Sequence, residues 1–321
     1  MNISYRLEDI PPDFGPTIVS VGNFDGVHRA HLHVIREMVQ RARQQKARAA
    51  AVTFEPHPIR ILRPDSDLKL ITPTPEKLRL LEEAGLDAVL LLAFTRDLSL
   101  MTPYQFAFQI LKNKLHAREV HEGYNFHFGH KASGTVETLQ ELGPEMGFAV
   151  TIYPEMKLRG EPVSSSHIRK LLGEGRVSRA RHLLGRSFGI LSTPGRGRGY
   201  GSKYTVPTIN LSRYQEIVPR DGVYITRCRV GKECFDSVTN VGNRPTFGAD
   251  SFAIETHLLN FHPIELNPDT EVEIFFLQRL RDEIKFPSVE ALKEQIGRDV
   301  NKANRYFHLL QPNAGTPQGV L

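Results

Sequence analysis

From Thr17 to Tyr153, short apolar runs alternate with stretches whose apolar residues recur at helical spacing. No other feature limits the fold as much. The spacing predicts strands at Thr17–Val21, Ala49–Phe54, Ala88–Phe94, Arg118–His121 and Phe148–Tyr153. Between them it predicts helices at His31–Arg43, Pro75–Ala84, Pro103–Leu111 and Gly134–Leu142. Strands separated by helices form a parallel sheet covered on both faces. Right-handed crossovers then gather the loops that follow the strands along one edge, where ligands bind. The turn after Val21, the TFEPHP segment (Thr53–Pro58) and the EGYNFHFG segment (Glu122–Gly129) share that edge.

The texture changes after two short helical stretches, Ser165–Leu172 and Val177–Leu184. Gly185 to Pro207 is rich in Gly, Arg and Ser. Beyond it, strand patterns at Gly222–Val230, Glu233–Val241, Phe252–Asn260 and Glu271–Leu280 follow one another closely, as in an antiparallel barrel or sandwich. An amphipathic helix, Ser288–Tyr306, completes the pattern. The expectation is an α/β domain over residues 1–185, a mainly antiparallel β-barrel domain with a C-terminal helix over 186–310, and a flexible tail over 311–321.

Composition limits the function. Two cysteines, Cys228 and Cys234, are too few for a disulfide framework, a zinc ribbon or an iron–sulfur cluster. They are expected on neighbouring strands of a reduced protein. The N-terminus carries no basic-then-apolar signal pattern, and no apolar run approaches membrane-spanning length. A cytoplasmic enzyme with no membrane partner is the default expectation. A net charge of +5 suits anionic small molecules. No long basic tail points to nucleic acid, and none is expected as a partner. The sequence leaves the oligomeric state open.

In GNFDGVHRAH (Gly22–His31), glycines let the chain turn tightly against a ligand, and the helix that follows offers free N–H groups and a positive dipole end. His28 and His31 fall on one face of that helix start. Packing histidines are the plain alternative to phosphate donors. Metal ligation is the weaker one, because a helix N-terminus disfavours a cation. In EPVSSSHIRKLL, Ser164, Ser165 and Ser166 precede a helix carrying Arg169. A helix cap needs one hydroxyl; the surplus, with the arginine, makes a second anion site. Two such sites in one α/β domain suit a triphosphate.

These segments carry a family resemblance. GNFDGVHRAH resembles the H-x-G-H motif of the nucleotidyltransferase superfamily, and VSSSHIRKLL its I-S-S-T-x-I-R element. EGYNFHFGHKASG and TFEPHP are similar to segments of the bacterial bifunctional FAD synthetases. In the second half, VPTIN resembles the flavokinase P-T-A-N element, and DGVY, NVGNRPTF and ETHLLNF follow in that family's order. The likeness covers nearly the whole chain. It implies a Rossmann-like nucleotidyltransferase domain followed by a riboflavin kinase barrel, with riboflavin, FMN and ATP as substrates and Mg²⁺ as cofactor.

By resemblance, Gly22, Phe24, Asp25, His28, His31, Ser164, Ser165, Ser166 and Arg169 form the ATP site of the adenylyl step, and Asn125 faces the flavin. His28 and His31 take the catalytic role there. His57 is a candidate nucleotide contact. Glu255 is the expected base of the kinase step, Thr208 and Asn210 the expected Mg²⁺ ligands, and Gly195 and Gly197 part of an ATP-phosphate flap. The chain departs from the family at Ala30, where a glycine is usual; at His127, where many members have arginine; and before Pro207, where Thr205 and Val206 replace Gly-Phe. Competing readings are an adenylyltransferase with a degenerate kinase module, and a flavin-responsive nucleic-acid-binding regulator.

Overall fold

The structure is a computed structural model that describes residues 1–195, 208–212, 216–243, 252–262 and 266–310. Gly197 and the expected tail at 311–321 lie outside the described residues.

The first half runs β1 (Asn2–Ser4), β2 (Thr17–Val21), α1 (Arg29–Gln45), β3 (Arg48–Glu55), α2 (Pro58–Leu62), α3 (Thr74–Glu83) and β4 (Ala88–Ala93). It continues through α4 (Arg96–Ser99), α5 (Pro103–Phe106), β5 (Ala117–Gly123), α6 (Val136–Met146) and β6 (Ala149–Tyr153). The predicted helix Pro103–Leu111 is α-helical only as far as Phe106 and continues as a π-helix over Ala107–Lys114.

The strands form one parallel sheet in the order β1-β4-β3-β2-β5-β6. From β2 the chain builds outward through β3 and β4, then returns to lay β5 and β6 on the other side. The order therefore reverses between β2 and β5, and a crevice opens outside their carboxyl ends. All five residues of β2 are buried, as a strand covered on both faces requires. On one face Ile35, Met38, Val39 and Ala42 of α1 and Leu80 and Leu81 of α3 pack on the sheet. On the other, Phe106, Ile110 and Leu111 with Leu139 and Met146 form the second layer.

A short hairpin, β7 (Lys157–Leu158) and β8 (Glu161–Pro162), leads to α7 (Ser165–Gly173) and α8 (Val177–Leu184). The chain divides into two compact units, Met1–Ser165 and Ser166–Leu321. The expected boundary at 185/186 is not where the contacts divide, because α7 and α8 belong to the barrel side. α8 packs on the second unit's strands, and the Arg220 amide donates to Leu172 O at 3.0 Å. Gly175 leaves room for Arg279, whose side chain would lie 2.7 Å from an added Cβ.

The second unit contains β9 (Phe188–Ser192), β10 (Thr208–Asn210), β11 (Gly222–Val230), β12 (Glu233–Asn243), β13 (Phe252–Leu258), β14 (Val272–Arg281) and α9 (Val289–Leu310). β11 to β14 and α9 match the predicted pattern closely; periodicity does not predict β9 and β10. The sheet order is β10-β13-β12-β11-β14-β9, antiparallel throughout. A bridge between Pro194 and Leu211 joins the two edge strands. The Gly195 amide donates to Asn210 O at 2.7 Å, and the Ser212 amide to Thr193 O at 2.9 Å. These bonds draw the two edge strands together where they meet and curl the sheet into a barrel.

Alternation along β11 separates two faces. Val223 and Ile225 meet Ala303 and Phe307 of α9 on the outside. Thr226 faces inward, where its hydroxyl meets those of Ser237 at 2.8 Å and Thr239 at 2.7 Å, and Thr239 meets Thr256 at 2.5 Å. All four residues are fully buried, and each hydroxyl is satisfied by another. Cys228 and Cys234 stand on the adjacent strands β11 and β12, the first buried and the second exposed.

Candidate active sites

The segment between β2 and α1 is a strained turn. Phe24 (φ 48°) and Val27 (φ 36°) adopt left-handed backbone, as does Gly26 (φ 85°). Such a conformation costs a side-chain-bearing residue roughly 1–2 kcal/mol. Phe24 and Val27 are buried against α1 and the sheet, and burying each side chain offsets this by about 1.5–3 kcal/mol. Gly22 makes room for this arrangement: an added Cβ would sit 3.3 Å from the Phe24 ring. The Asp25 carboxylate accepts the Ile71 amide at 3.0 and 3.1 Å and the Thr72 amide at 3.1 Å. It thereby holds the loop ahead of α3 against the turn. The Asp25 carbonyl accepts the Ser165 hydroxyl at 2.8 Å.

His28 is the N-cap of α1, and its Nδ1 accepts the His31 amide at 3.4 Å. That commitment leaves the proton of a neutral ring on Nε2. The His28 and His31 rings stack at 3.6 Å between centroids with 15° between planes, and Phe24 meets His31 edge-on at 5.3 Å. The two histidines act as one unit at the positive end of a 17-residue helix. Ala30 is an ordinary helical residue in the first turn of α1. Its backbone does not require glycine, so the departure from the family pattern costs the fold nothing.

Two buried ionisable groups flank this turn, and sequence reasoning points to neither. On the β3 side, Lys77 of α3 is 6% exposed. Its Nζ donates to Thr53 Oγ1 at 3.3 Å and to Asn23 O at 3.5 Å. Burial lowers its pKa, opposed by the charges of Glu55 and Asp25. On the β5 side, Glu122 is 3% exposed and accepts the Val21 amide at 2.6 Å, beyond the last paired residues of β2 and β5. Burial pushes its pKa well above the ordinary carboxylate range, partly offset by that hydrogen bond. A signal for Lys77 is present in the sequence: it shares a helical stripe with Leu81 and Ala84.

Asn125 lies exposed in the turn after β5, and its carbonyl faces Nδ1 of exposed His127 at 2.9 Å. The following loop is laced to the segment around α5. There the His130 amide donates to Met101 O at 2.7 Å, and His130 Nδ1 lies 3.1 Å from Ser99 O. His57 caps α2 through Nδ1, which accepts the Ile59 amide at 3.2 Å. Ser164 and Ser165 belong to the first unit; Ser166 and Arg169 stand on α7 and belong to the second.

On the barrel, Asn210 of β10 pairs directly with Glu255 of β13, and Glu255 pairs in turn with Asn240 of β12. Thr208, two residues before Asn210, points to the same side and pairs with His257. These residues share the outer face with α9. Paired residues hold their Cβ atoms about 4.5–5.5 Å apart, so the Asn210 amide and the Glu255 carboxylate converge. A second carboxylate, Glu283, accepts a hydrogen bond from Asn240 Nδ2 at 3.1 Å. Burial raises its pKa, and the charge of Glu255 adds to the rise. Gly242 makes the space: an added Cβ would lie 2.3 Å from the Glu283 carboxylate. Burial lowers the pKa of His257. Gly195 sits in the barrel seam, where an added Cβ would come within 3.0 Å of the Leu211 carbonyl. Among the described residues no cluster of three or more His, Cys, Asp or Glu side chains could hold a metal. The hard oxygens of Thr208 and Asn210 still suit Mg²⁺ shared with phosphate.

A histidine-capped turn at the reversal of a parallel sheet, in a chain that also carries a barrel bearing an Asn–Glu pair, defines a two-module nucleotide-dependent transferase. Comparison with known proteins makes this specific. A model of the FAD synthetase family matches residues 10–167, and one of the riboflavin kinase family matches 184–307. A bifunctional riboflavin kinase/FMN adenylyltransferase of Pseudomonas fluorescens is 33% identical over 310 residues, covering 94% of this chain and 97% of its own. One of Escherichia coli K12 is 30% identical over 92% of this chain and 94% of its own. The chain belongs to the bifunctional riboflavin kinase/FMN adenylyltransferase family. A crystal structure described as a macrolide-efflux protein from Streptococcus pneumoniae superposes with a TM-score of 0.84 at 25% identity, over 94% of this chain and 98% of that one. No helix among the described residues here is long and apolar enough to cross a membrane.

Proposed function

We propose that this chain makes FAD from riboflavin in two ATP-dependent steps, the kinase step on residues 186–310 and the adenylyl step on residues 1–185. The observation that supports the reading is the presence of two separate side-chain constellations, each suited to phosphate chemistry. One is the His28–His31 stack over the strained turn; the other is the Asn210–Glu255 pair on the barrel.

In the adenylyl step, an FMN phosphate oxygen bonds to the α-phosphorus of ATP, and the α–β bridging P–O bond breaks to release pyrophosphate. The nucleophile is already ionised, so no base is required. Charge on the α-phosphate and on pyrophosphate must be stabilised, and preorganised donors do so. The Nε2–H of His28, the His31 ring and the amides of the first turn of α1 supply them from the first unit. Ser164 and Ser165 of the same unit are further phosphate donors in this reading, and Asn125 takes the flavin.

In the kinase step, the terminal ribityl hydroxyl attacks the γ-phosphorus, ADP leaves, and Glu255 accepts the hydroxyl proton. Thr208 and Asn210 would hold Mg²⁺, which neutralises phosphate charge when bound. Gly195, in the barrel seam, would border the ATP phosphates. A cytoplasmic setting fits free Cys228 and Cys234.

The test is to incubate the protein with riboflavin, ATP and Mg²⁺ and separate the flavins by chromatography. FMN should appear first and FAD after it. FAD formed from supplied FMN with none from riboflavin would leave an adenylyltransferase alone.

A further inference from the structure

Lys77 is an unusual residue to find buried. An ammonium group removed from water must be compensated, or it loses its proton. Among the described residues, no carboxylate lies within hydrogen-bonding distance of Lys77. Its acceptors are a hydroxyl and a carbonyl, Thr53 Oγ1 and Asn23 O. Thr53 Oγ1 also donates to Asn23 O at 3.3 Å, so the three atoms form a closed triangle. The triangle stands where the β2–β3 ladder ends, just past the paired residues Val21 and Val52. α3 thus reaches across the sheet edge to fasten the first residue after Gly22. The loop leading into α3 is itself fastened to Asp25 through the Ile71 and Thr72 amides.

We propose that Lys77 is a positioning residue for the adenylyl step: it fixes the Asn23–Asp25 turn and places a buried positive charge beneath the ATP polyphosphate. This rests on the reading of that turn as the ATP site. A lysine kept only for the fold would be better replaced by an apolar side chain, since a buried charge without an ion-pair partner detracts from stability. An arriving anion would supply the missing partner. The charged groups facing it are Glu55 at the end of β3 and Asp25 in the turn. Glu55 is itself hydrogen bonded by the Thr74 hydroxyl, and Asp25 by the two loop amides. Neither contacts Nζ directly, so the charge remains available to a polyphosphate.

The pH dependence has a definite sign. Burial lowers the Lys77 pKa, so the free enzyme loses this charge at a lower pH than an exposed lysine would. ATP binding should therefore weaken as pH rises through that value. In a K77R variant the guanidinium stays charged throughout, and in K77M the thioether never carries a charge.

The experiment compares full-length wild type, K77M and K77R. It measures kcat/KM for ATP in FAD formation across neutral to alkaline pH, and the urea concentration at which FAD formation is lost. Riboflavin phosphorylation serves as a control on the second unit. K77M should lower kcat/KM for ATP about tenfold or more at neutral pH, mainly through KM. It should abolish the alkaline decline, and its urea resistance should equal or exceed that of wild type. K77R should restore most of the activity and show no alkaline decline. A K77M protein with lowered urea resistance but unchanged kcat/KM and pH profile would make Lys77 purely structural and overturn the proposal. So would a parallel fall in both activities. If wild type makes no FAD from FMN, the reading of the site fails first. Calorimetric titration with ATP then still decides on Lys77, because equal affinity in wild type and K77M refutes it.

Discussion

Replacing Asp25 by alanine tests whether its carboxylate acts on the fold rather than directly on ATP. Asp25 is 4% exposed and accepts from two amides, those of Ile71 and Thr72, which are themselves 2% and 4% exposed. Alanine removes this acceptor from both. A buried donor deprived of its acceptor costs about 1–3 kcal/mol, so the pair amounts to roughly 2–6 kcal/mol. Against a typical domain stability of about 5–15 kcal/mol, that is enough to loosen the first unit. The D25N variant keeps one oxygen for the shared contact but turns an NH₂ towards the Ile71 amide, so it should cost about 1–2 kcal/mol. Because the chain has two units, a single unfolding midpoint is not a sound readout. The two activities serve instead. FAD formation from FMN reports the first unit and FMN formation from riboflavin the second, each followed against urea. D25A should shift the loss of FAD formation to much lower urea and leave FMN formation where it was. A shift equivalent to less than about 1 kcal/mol, or an equal shift in both activities, would refute the reasoning.

Three further outcomes are expected. Glu122 keeps its proton to higher pH in the fold than when unfolded, because its folded pKa is raised. Its contribution is thus complete below the ordinary carboxylate range and is lost as pH rises towards the raised value. E122Q keeps an oxygen for the Val21 amide and should flatten that decline, which the urea dependence of FAD formation from FMN at several pH values would show. E255A should abolish riboflavin phosphorylation, a loss of about 10²–10⁴-fold, while FAD formation from supplied FMN continues; chromatography of both products checks it. H28N should retain the cap on α1, since asparagine is a good N-cap, but lose the Nε2 donor. Stability should be kept and kcat for adenylyl transfer should fall by about 10²-fold, as steady-state kinetics with and without urea would establish together.

The sheet was legible in the sequence because its strands are covered on both sides. Runs such as TIVSV have no polar face to confuse the pattern. His28 and His31 were legible for another reason: their spacing and the glycines before them are local. What stayed hidden depends on residues far apart in sequence. Lys77 follows an acidic residue in a helix and reads as solvent-facing until its stripe with Leu81 is placed against Thr53 and Asn23. Glu122 reads as the start of a loop, although it continues the buried face of β5 begun by Val120. The barrel seam was missed because β10 is three residues long and borders a Gly-, Arg- and Ser-rich stretch. Its pairing with the end of β9 comes from backbone bonds across that stretch, not from side-chain periodicity. Asp25 lies in the turn that the motif marks, but only the structure identifies its partners as the amides of residues 71 and 72.

The two units solve the same problem in opposite ways. In the proposed function each holds a polyanion that water would otherwise solvate. In the first, the parallel sheet ends in a turn that side chains hold from three directions: Lys77 from the β3 flank, Glu122 from the β5 flank, and Asp25 from within. Lys77 and Glu122 are buried with no ion-pair contact among the described residues, an arrangement that detracts from stability taken alone. In the second, the polar interior of the barrel is closed upon itself, hydroxyl to hydroxyl. The groups proposed to react stand on the outer wall, fixed by strand register: Asn210 opposite Glu255 opposite Asn240. Register is set by the whole ladder, so a single substitution on that wall should change chemistry more than stability. Around the first unit's turn Asp25 and Lys77 bear on both, and substitutions should move activity and stability together at Asp25 and in opposite directions at Lys77.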